Sequence, residues 1–316
     1  MNVSGRFGFL GRRVLQLIPV TLGITILVFF LLHLVPGDPA RQILGQHYTP
    51  QAAAEIHHKL GLDQPLWEQY KLFMDRLIHG DLGDSVYYNQ SARSLIAERM
   101  PATMFLIVYA GVLAALISIP IGIIAALRRG GVFDQATRIG TLITFAMPPF
   151  WFGIILLLFF ALKLQLFPVS GYGNGFTDHL WHLFLPALTI ALAFSTILTR
   201  TLRASMLSTL RMDFVDTARI KGVSRTTVLI RHVVRNAIVA IVVVFGINLA
   251  FLIGSTVLVE NVFSIPGLGE LLVGSVSSRD YPVVQGTTLV LAFLVVLVNL
   301  LTDIVHAALD PRVTYE

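Results

Sequence analysis

Several side chains have types and spacing that invite chemistry, and each is weighed against a plainer role. Asp178, His179 and His182 carry metal-ligating groups, but a zinc site takes three or four ligands at set spacing and no further ligand stands near. They read as a polar loop at a membrane interface, and no metal is expected. Asp303 and His306 lie near one end of an apolar run, where a charge costs less than the roughly 2.5–3.5 kcal/mol it costs at mid-span. They read as anchoring or pairing groups, with no proton relay. Ser170, in VSGYG, sits in a loop, and neither an H-E-x-x-H motif nor paired carboxylates within an apolar run accompany it. There is no G-x-x-x-x-G-K-[ST] phosphate loop and no Gly-Lys pair. The chain is expected not to be an enzyme.

The stretch that organises the rest is DFVDTARIKGVSRTTVLIRHVVRNA, beginning at Asp213. It is polar and basic, and lies between two apolar runs. The run after it, 238–259, is uncharged, and at about 1.5 Å per residue it is long enough for a bilayer core of roughly 30 Å. Phe214, Ala218 and Ile220 or Lys221 fall near helical spacing, and Gly222 stands where a left-handed residue would end that helix. Ser224 is placed to cap a second short helix, with Val228, Leu229, Val233 and Val234 as its apolar stripe against Arg225, Arg231 and Arg235. The expectation is two short helices meeting at a tight Gly-Val-Ser corner. The alternative reading is a solvated basic loop that only obeys the positive-inside rule.

The chain must supply membrane spans to hold this loop. It has 316 residues, 55% hydrophobic and 13% charged, with mean hydropathy +0.76, where soluble domains carry about 25% charged residues. That makes it an integral membrane protein. The pI near 9.7 suggests nucleic acid, but the basic residues cluster beside the apolar runs, so no nucleic-acid partner is expected. Cysteine is absent, which excludes disulfides and thiolate metal sites.

Arg12 and Arg13 precede an apolar run that is too long for a signal-peptide core and ends in PGDPA without a cleavage pattern, so it reads as a retained first span. Gly37-Asp38-Pro39 is turn chemistry. Residues 36–100 form the one sizeable non-membrane region. A helix starts at Pro50 and ends by Gly61, another starts near Pro65 and ends by Gly80, and a third short one spans 91–100. Trp67, Tyr70, Phe73, Met74 and Leu77 repeat at helical spacing and suit packing on neighbours or the interface. Further spans are expected at 102–127, 139–162, 184–204, 238–259 and 283–307. The organisation is thus a first span at 1–35, an insertion at 36–100, a five-span core at 101–307 with its loop at 206–236, and a tail at 308–316.

Six spans put both termini on one side. Arg6, Arg12, Arg13, Arg128, Arg129, Arg138 and the basic residues from Arg200 to Arg235 share that face, while the opposite short loops offer Lys163 and Arg279. The basic face is expected to be cytoplasmic, with the insertion outside. Asn248 and Asn299 lie inside spans, as path-lining or interhelical hydrogen-bonding groups. Glu260, Phe263, Pro266, Gly267 and Gly269 belong to ENVFSIPGLGELL, an irregular re-entry toward the membrane that packs internally, gates the outer mouth or receives a docking protein.

Bacterial ABC-importer permeases carry a loop of form Glu-Ala-Ala-x-x-x-Gly, and Asp216-Thr217-Ala218-x-x-x-Gly222 resembles it in spacing. Asp replaces Glu, Thr replaces the first Ala, and the family's downstream Ile-x-Leu-Pro is replaced around His232, Val234 and Arg235. RRVLQLIPVTLGITILVFFLLHLVPGDPA, KLGLDQPLWEQY with HGDLGDS, VLVENVFSIPGLGELLVGSVSSRDYPVVQG and TDIVHAALDPRVTY together resemble the dipeptide, oligopeptide and nickel permeases, and glutathione permeases are similar there too. The resemblance implies an all-α, six-helix type I ABC importer permease fold in the bacterial inner membrane, with a helical insertion after the first span. It also implies a second homologous permease, two ATPase subunits that carry the ATP and Mg, and a periplasmic or lipid-anchored binding protein. This chain itself would bind no cofactor, and membrane lipid would surround it. Residues 213–222 would be the coupling helix, with Phe214 and Ala218 in the buried contact and Asp216, Arg219 and Lys221 orienting it; Asp213, Thr217 and Gly222 complete the segment. The implied cargo is a dipeptide or short oligopeptide, with glutathione or nickel as alternatives. A self-sufficient secondary transporter is the competing class; it should show ionisable residues at mid-span, and these middles carry almost none.

Overall fold

The structure, a computed structural model, describes residues 3–34, 40, 44–45, 48–60, 62–85 and 87–309. Among the described residues its regular secondary structure is helix, apart from one isolated bridge between Asp84 and Ser91. In order come α1 (Val3–Leu34), α2 (Pro50–Leu60), α3 (Leu66–Ile78), α4 (Ala92–Leu127), α5 (Val132–Ala146), α6 (Pro149–Lys163) and α7 (Phe176–His182). Then follow α8 (Phe184–Thr209), α9 (Asp213–Ile220), α10 (Arg225–Ile247), α11 (Leu249–Val262), α12 (Leu268–Ser277) and α13 (Tyr281–Leu309). The Gly37-Asp38-Pro39 turn, Gly61, and the tail from 310 onward lie outside the described residues.

Four of these helices, α4, α8, α10 and α13, are long and apolar enough to cross a membrane, and α5 with α6 makes a fifth when counted as one bent span. The sixth predicted span is α1, whose apolar stretch is Leu15–Phe30. Three expectations are corrected. The helix expected at 91–100 is the first part of α4, which runs on through Pro101 without a stop. The span expected at 139–162 is bent by 102°. Pro148 and Pro149 lack N–H donors and hold Met147 extended at φ −94°, ψ 135°, so the ladder cannot cross them. The span expected at 238–259 is broken at Asn248 (φ −94°, ψ 3°), and the crossing helix starts earlier, at Arg225. The Asn248 amide donates to the Val244 carbonyl at 2.8 Å and so competes with the ladder at the break.

The chain divides into two compact units. The first comprises Met1–Ala102 and Pro266–Val296. Its core packs Ala92, Leu95 and Ile96 of α4 against Leu268 and Leu271 of α12 and Val283 of α13. The buried Asp280 carboxylate accepts the Ser85 hydroxyl, and the Tyr87 N–H at 3.4 Å, closing the turn-rich HGDLGDS segment onto the start of α13. In the α2–α3 turn, His58 Nδ1 meets Asp63 Oδ2 at 2.9 Å. That hydrogen bond, and then the charge of Asp63, raises the imidazole pKa above its ordinary value.

The second unit comprises Thr103–Ile265 and Leu297–Glu316. Its axis is α8, whose apolar window is 67% buried and against which α5, α6, α10 and α11 pack. Gly246 shows how close the helices come: a Cβ built there would overlap the Thr302 side chain on α13. Small residues permit such approach where no hydrophobic driving force separates helix from lipid. Gly246→Ala should lower the melting temperature in detergent by more than a typical overpacking cost of about 1–3 kcal/mol implies, and Thr302→Ala should restore part of the loss. Additive losses would show that the two residues do not meet.

Candidate coupling knuckle

The loop after α8 forms a compact knuckle. Asp213 and Asp216 stand in the first turn of α9, where carboxylates face the positive end of the helix dipole. Gly222, at φ +77°, ends it. The Gly222 N–H donates to Arg219 O at 3.0 Å and the Val223 N–H to Ala218 O at 3.2 Å, a paired bonding pattern that requires the left-handed residue. Ser224 Oγ then accepts the Thr227 N–H at 3.3 Å and starts the next helix. The corner is built as the spacing implied.

The second short helix is different from expectation. It does not stop: a π-helical turn over Val228–Val234 carries it into α10 as one helix, Arg225–Ile247. Val228 and Val233 are buried and Arg225, Arg231 and Arg235 exposed, so the predicted stripe points inward. The knuckle is therefore α9 alone, fixed by a short corner to the root of a span.

Which face of α9 is free is also decided here. Ala218, expected in a contact with another protein, is 8% exposed, and Val215 is fully buried; both are turned into this chain. The outward face carries Phe214 at 41% and Ile220 at 86% exposure, with Asp213, Asp216, Thr217, Arg219 and Lys221 exposed around them. Arg219 is held by Asp216 at 3.1 Å. A cavity of about 790 Å³ opens behind the corner, lined by Leu127, Leu210, Arg219, Val223, Arg225 and Leu229 among others. The knuckle is attached through Val215, Ala218 and the α10 stripe, and is not packed solid around its whole base.

A tie that sequence reading missed lies just above. Asp134, at the start of α5 and 1% exposed, receives Arg203 of α8 in a fork: Nε to Oδ1 at 2.5 Å and Nη2 to Oδ2 at 2.7 Å. The Gly130 N–H adds a third bond to Oδ2 at 2.9 Å. Two parallel bonds fix both distance and orientation, which a lysine could not do. The available signal was Asp134 itself, an acid at a helix start amid Arg128, Arg129 and Arg138. Arg203 lies on α8, which a short turn at 210–212 joins to α9, so the α4–α5 turn is tied to the helix from which the knuckle springs.

The remaining candidates separate. Glu260 is fully buried and accepts the Thr103 hydroxyl at 2.7 Å; Phe263 is buried as well. Both side chains are thus turned away from solvent. Ser264, at φ +46°, turns the chain out of α11, and the Ile265 N–H returns to Glu260 O at 2.9 Å. Gly267 and Gly269 are buried and Pro266 is half-buried. Asn248 is half-buried on its own backbone, whereas Asn299 is exposed on α13. His179 stacks on Tyr172 at 3.8 Å, and Asp178 pairs with His182 at 3.2 Å and takes the Asn174 N–H at 2.7 Å. Asp303 is half-buried; the His306 side chain lies outside the described ones.

The fold resembles that of the inward-facing MetNI methionine ABC transporter, with TM-score 0.56 over 68% of this chain and 96% of that one at 16% identity. In sequence the chain is 37% identical over 332 residues to the di/tripeptide transport system permease protein DppB of Pseudomonas aeruginosa (strain UCBPP-PA14), covering 98% of this chain and 99% of that protein. It is 36% identical to the dipeptide transport system permease protein DppB of Escherichia coli (strain K12), again over 98% and 99%. The profile of the N-terminal part of such membrane components matches residues 6–107. Because the main profile matches residues 118–315, more than half of the sequence, this chain belongs to the family of binding-protein-dependent transport system inner membrane components.

Proposed function

We propose that the chain is a non-catalytic permease subunit of an ATP-driven importer of dipeptides or short oligopeptides. The observation that carries this reading is its likeness, along nearly its whole length, to two permeases named for di- and tripeptides. It pairs with a second, homologous permease, and two ATPases beneath bind the ATP and Mg. A periplasmic or lipid-anchored binding protein delivers the peptide. Both termini and α9 face the cytoplasm, in keeping with the basic residues around the knuckle.

The outward face of α9, centred on Phe214 and Ile220 with Asp213, Asp216, Thr217, Arg219 and Lys221 at its rim, docks in a groove of one ATPase. Gly222 sets the angle at which it does so. When the ATPases close, α9 moves with them, and its mount on α8 carries the motion into the bilayer as rigid-body alternation between outward and inward openings. Asn299 on α13 and the broken α10–α11 helix at Asn248 line the path, since irregular backbone is tolerated at depth where protein or water covers it.

The test is uptake of a labelled dipeptide into vesicles holding this chain with a sister permease, ATPases and a binding protein. Uptake should need ATP and every subunit, and unlabelled di- and tripeptides should compete where glutathione and nickel do not. Uphill transport by this chain alone would overturn the reading.

A further inference from the structure

We infer that α3, in the insertion after the first span, is an interfacial helix that lies in the headgroup and upper acyl region of the bilayer. It rests on the proposed function only for which leaflet this is, the outer one. The depth comes from α1. The Tyr70 hydroxyl of α3 is 2.8 Å from the Thr25 hydroxyl, and Phe29 lies 5.4 Å from the Tyr70 ring and 5.8 Å from the Phe73 ring. Thr25 and Phe29 belong to the apolar stretch Leu15–Phe30, and Ile26, Leu27 and Phe30 beside them are exposed. So α3 rides on the span itself, at a level where the span's own surface is hydrocarbon.

Its side chains are distributed to suit that place. At 100° per residue, Phe73, Leu77 and Tyr70 form the edge that meets α1. Met74, Trp67 and Ile78 form a flank beside it, with Trp67 at 64% and Ile78 at 75% exposure. Glu68, Lys71 and Asp75 occupy the far side. No residue of α3 is buried, although a helix of 13 residues is marginal in water without a covered apolar face. The flank is continuous with the exposed apolar surface of α1, so the same solvent covers both. Lys71 Nζ stands over the Trp67 ring, 5.3 Å from its centre, and 2.8 Å from Glu68. A tryptophan body with a lysine whose stem lies along it suits a membrane interface, where one end of each side chain is apolar and the other wet.

The chain has no cysteine, so one introduced thiol carries one spin label. Ile78→Cys and Leu72→Cys place labels on the apolar flank and on the polar side of α3, in the assembled importer in phospholipid vesicles. An elution volume and a melting temperature equal to those of the unlabelled complex show that each labelled chain is folded. The ratio of oxygen to nickel-chelate accessibility should be several-fold higher at 78 than at 72. A label at 78 that the nickel chelate reaches as freely as one at 72 would show the flank in water. A label at 78 shielded from both probes would show a protein partner covering it. Either result overturns the inference, and neither depends on what cargo the importer carries.

Discussion

Proline at Gly222 is expected to abolish the stimulation of ATP hydrolysis by loaded binding protein while leaving membrane insertion intact. Gly222 sits at φ +77°, and proline is locked near −65°, so the corner cannot form. Proline also removes the N–H that now bonds Arg219 O at 3.0 Å. Nothing lies within 4 Å of a Cβ built at this position, so the substitution acts through backbone geometry and not through a clash. Gly222→Ala keeps the N–H and meets only the left-handed strain of roughly 1–2 kcal/mol, and should retain part of the stimulation. Ala218→Arg should match the proline variant for another reason: it forces a guanidinium into a face that is 8% exposed, and so dislodges α9 from its mount. Ile220→Asp should weaken stimulation with the knuckle still folded, because Ile220 is 86% exposed. ATP hydrolysis measured in reconstituted vesicles with and without binding protein separates these cases. Undiminished stimulation in the proline variant would remove α9 as the coupling element.

The second large effect concerns Asp134 and Arg203. Arg203→Ala leaves the Asp134 carboxylate without its guanidinium. The Arg203 side chain is itself 22% exposed, so water enters in its place and the cost falls below the roughly 3–5 kcal/mol of a fully buried pair. The variant should show a clear fall in melting temperature in detergent. Arg203→Lys should recover only part of the loss, since an ammonium cannot reproduce the fork. Asp134→Leu combined with Arg203→Leu should be more stable than Arg203→Ala, because no lone charge remains in the interior. Equal melting temperatures for native and Arg203→Ala chains would mean that the pair is not closed in the membrane. A protein that tolerated the single substitution would need some other device to hold the α4–α5 turn to α8.

Much of this architecture could be read from local pattern. Apolar run length located the crossing helices, and the Gly222-Val223-Ser224 corner could be placed because left-handed backbone and helix caps depend on few residue types. Local pattern was weakest where two elements compete for one stretch. The uncharged run 238–259 gave no sign of its break, since hydropathy is indifferent to an asparagine amide that takes its own helix's carbonyl. The 91–100 helix merged with the following span because the single Pro101 removes one ladder bond and the helix continues through it, whereas the pair Pro148-Pro149 holds Met147 extended and starts a new helix.

Taken by itself, the order of residues determined composition, the helical membrane class, most of the apolar helices and the shape of the corner. These follow from periodicity and from preferences that act over a few residues. Only the tertiary structure decided which way α9 faces, that Glu260 and Phe263 are core, and that Asp134 finds Arg203 across 69 residues. Those facts depend on what packs against what, and a short amphipathic helix with small residues on one side and exposed apolar ones on the other has no face that is outward until a neighbour covers one.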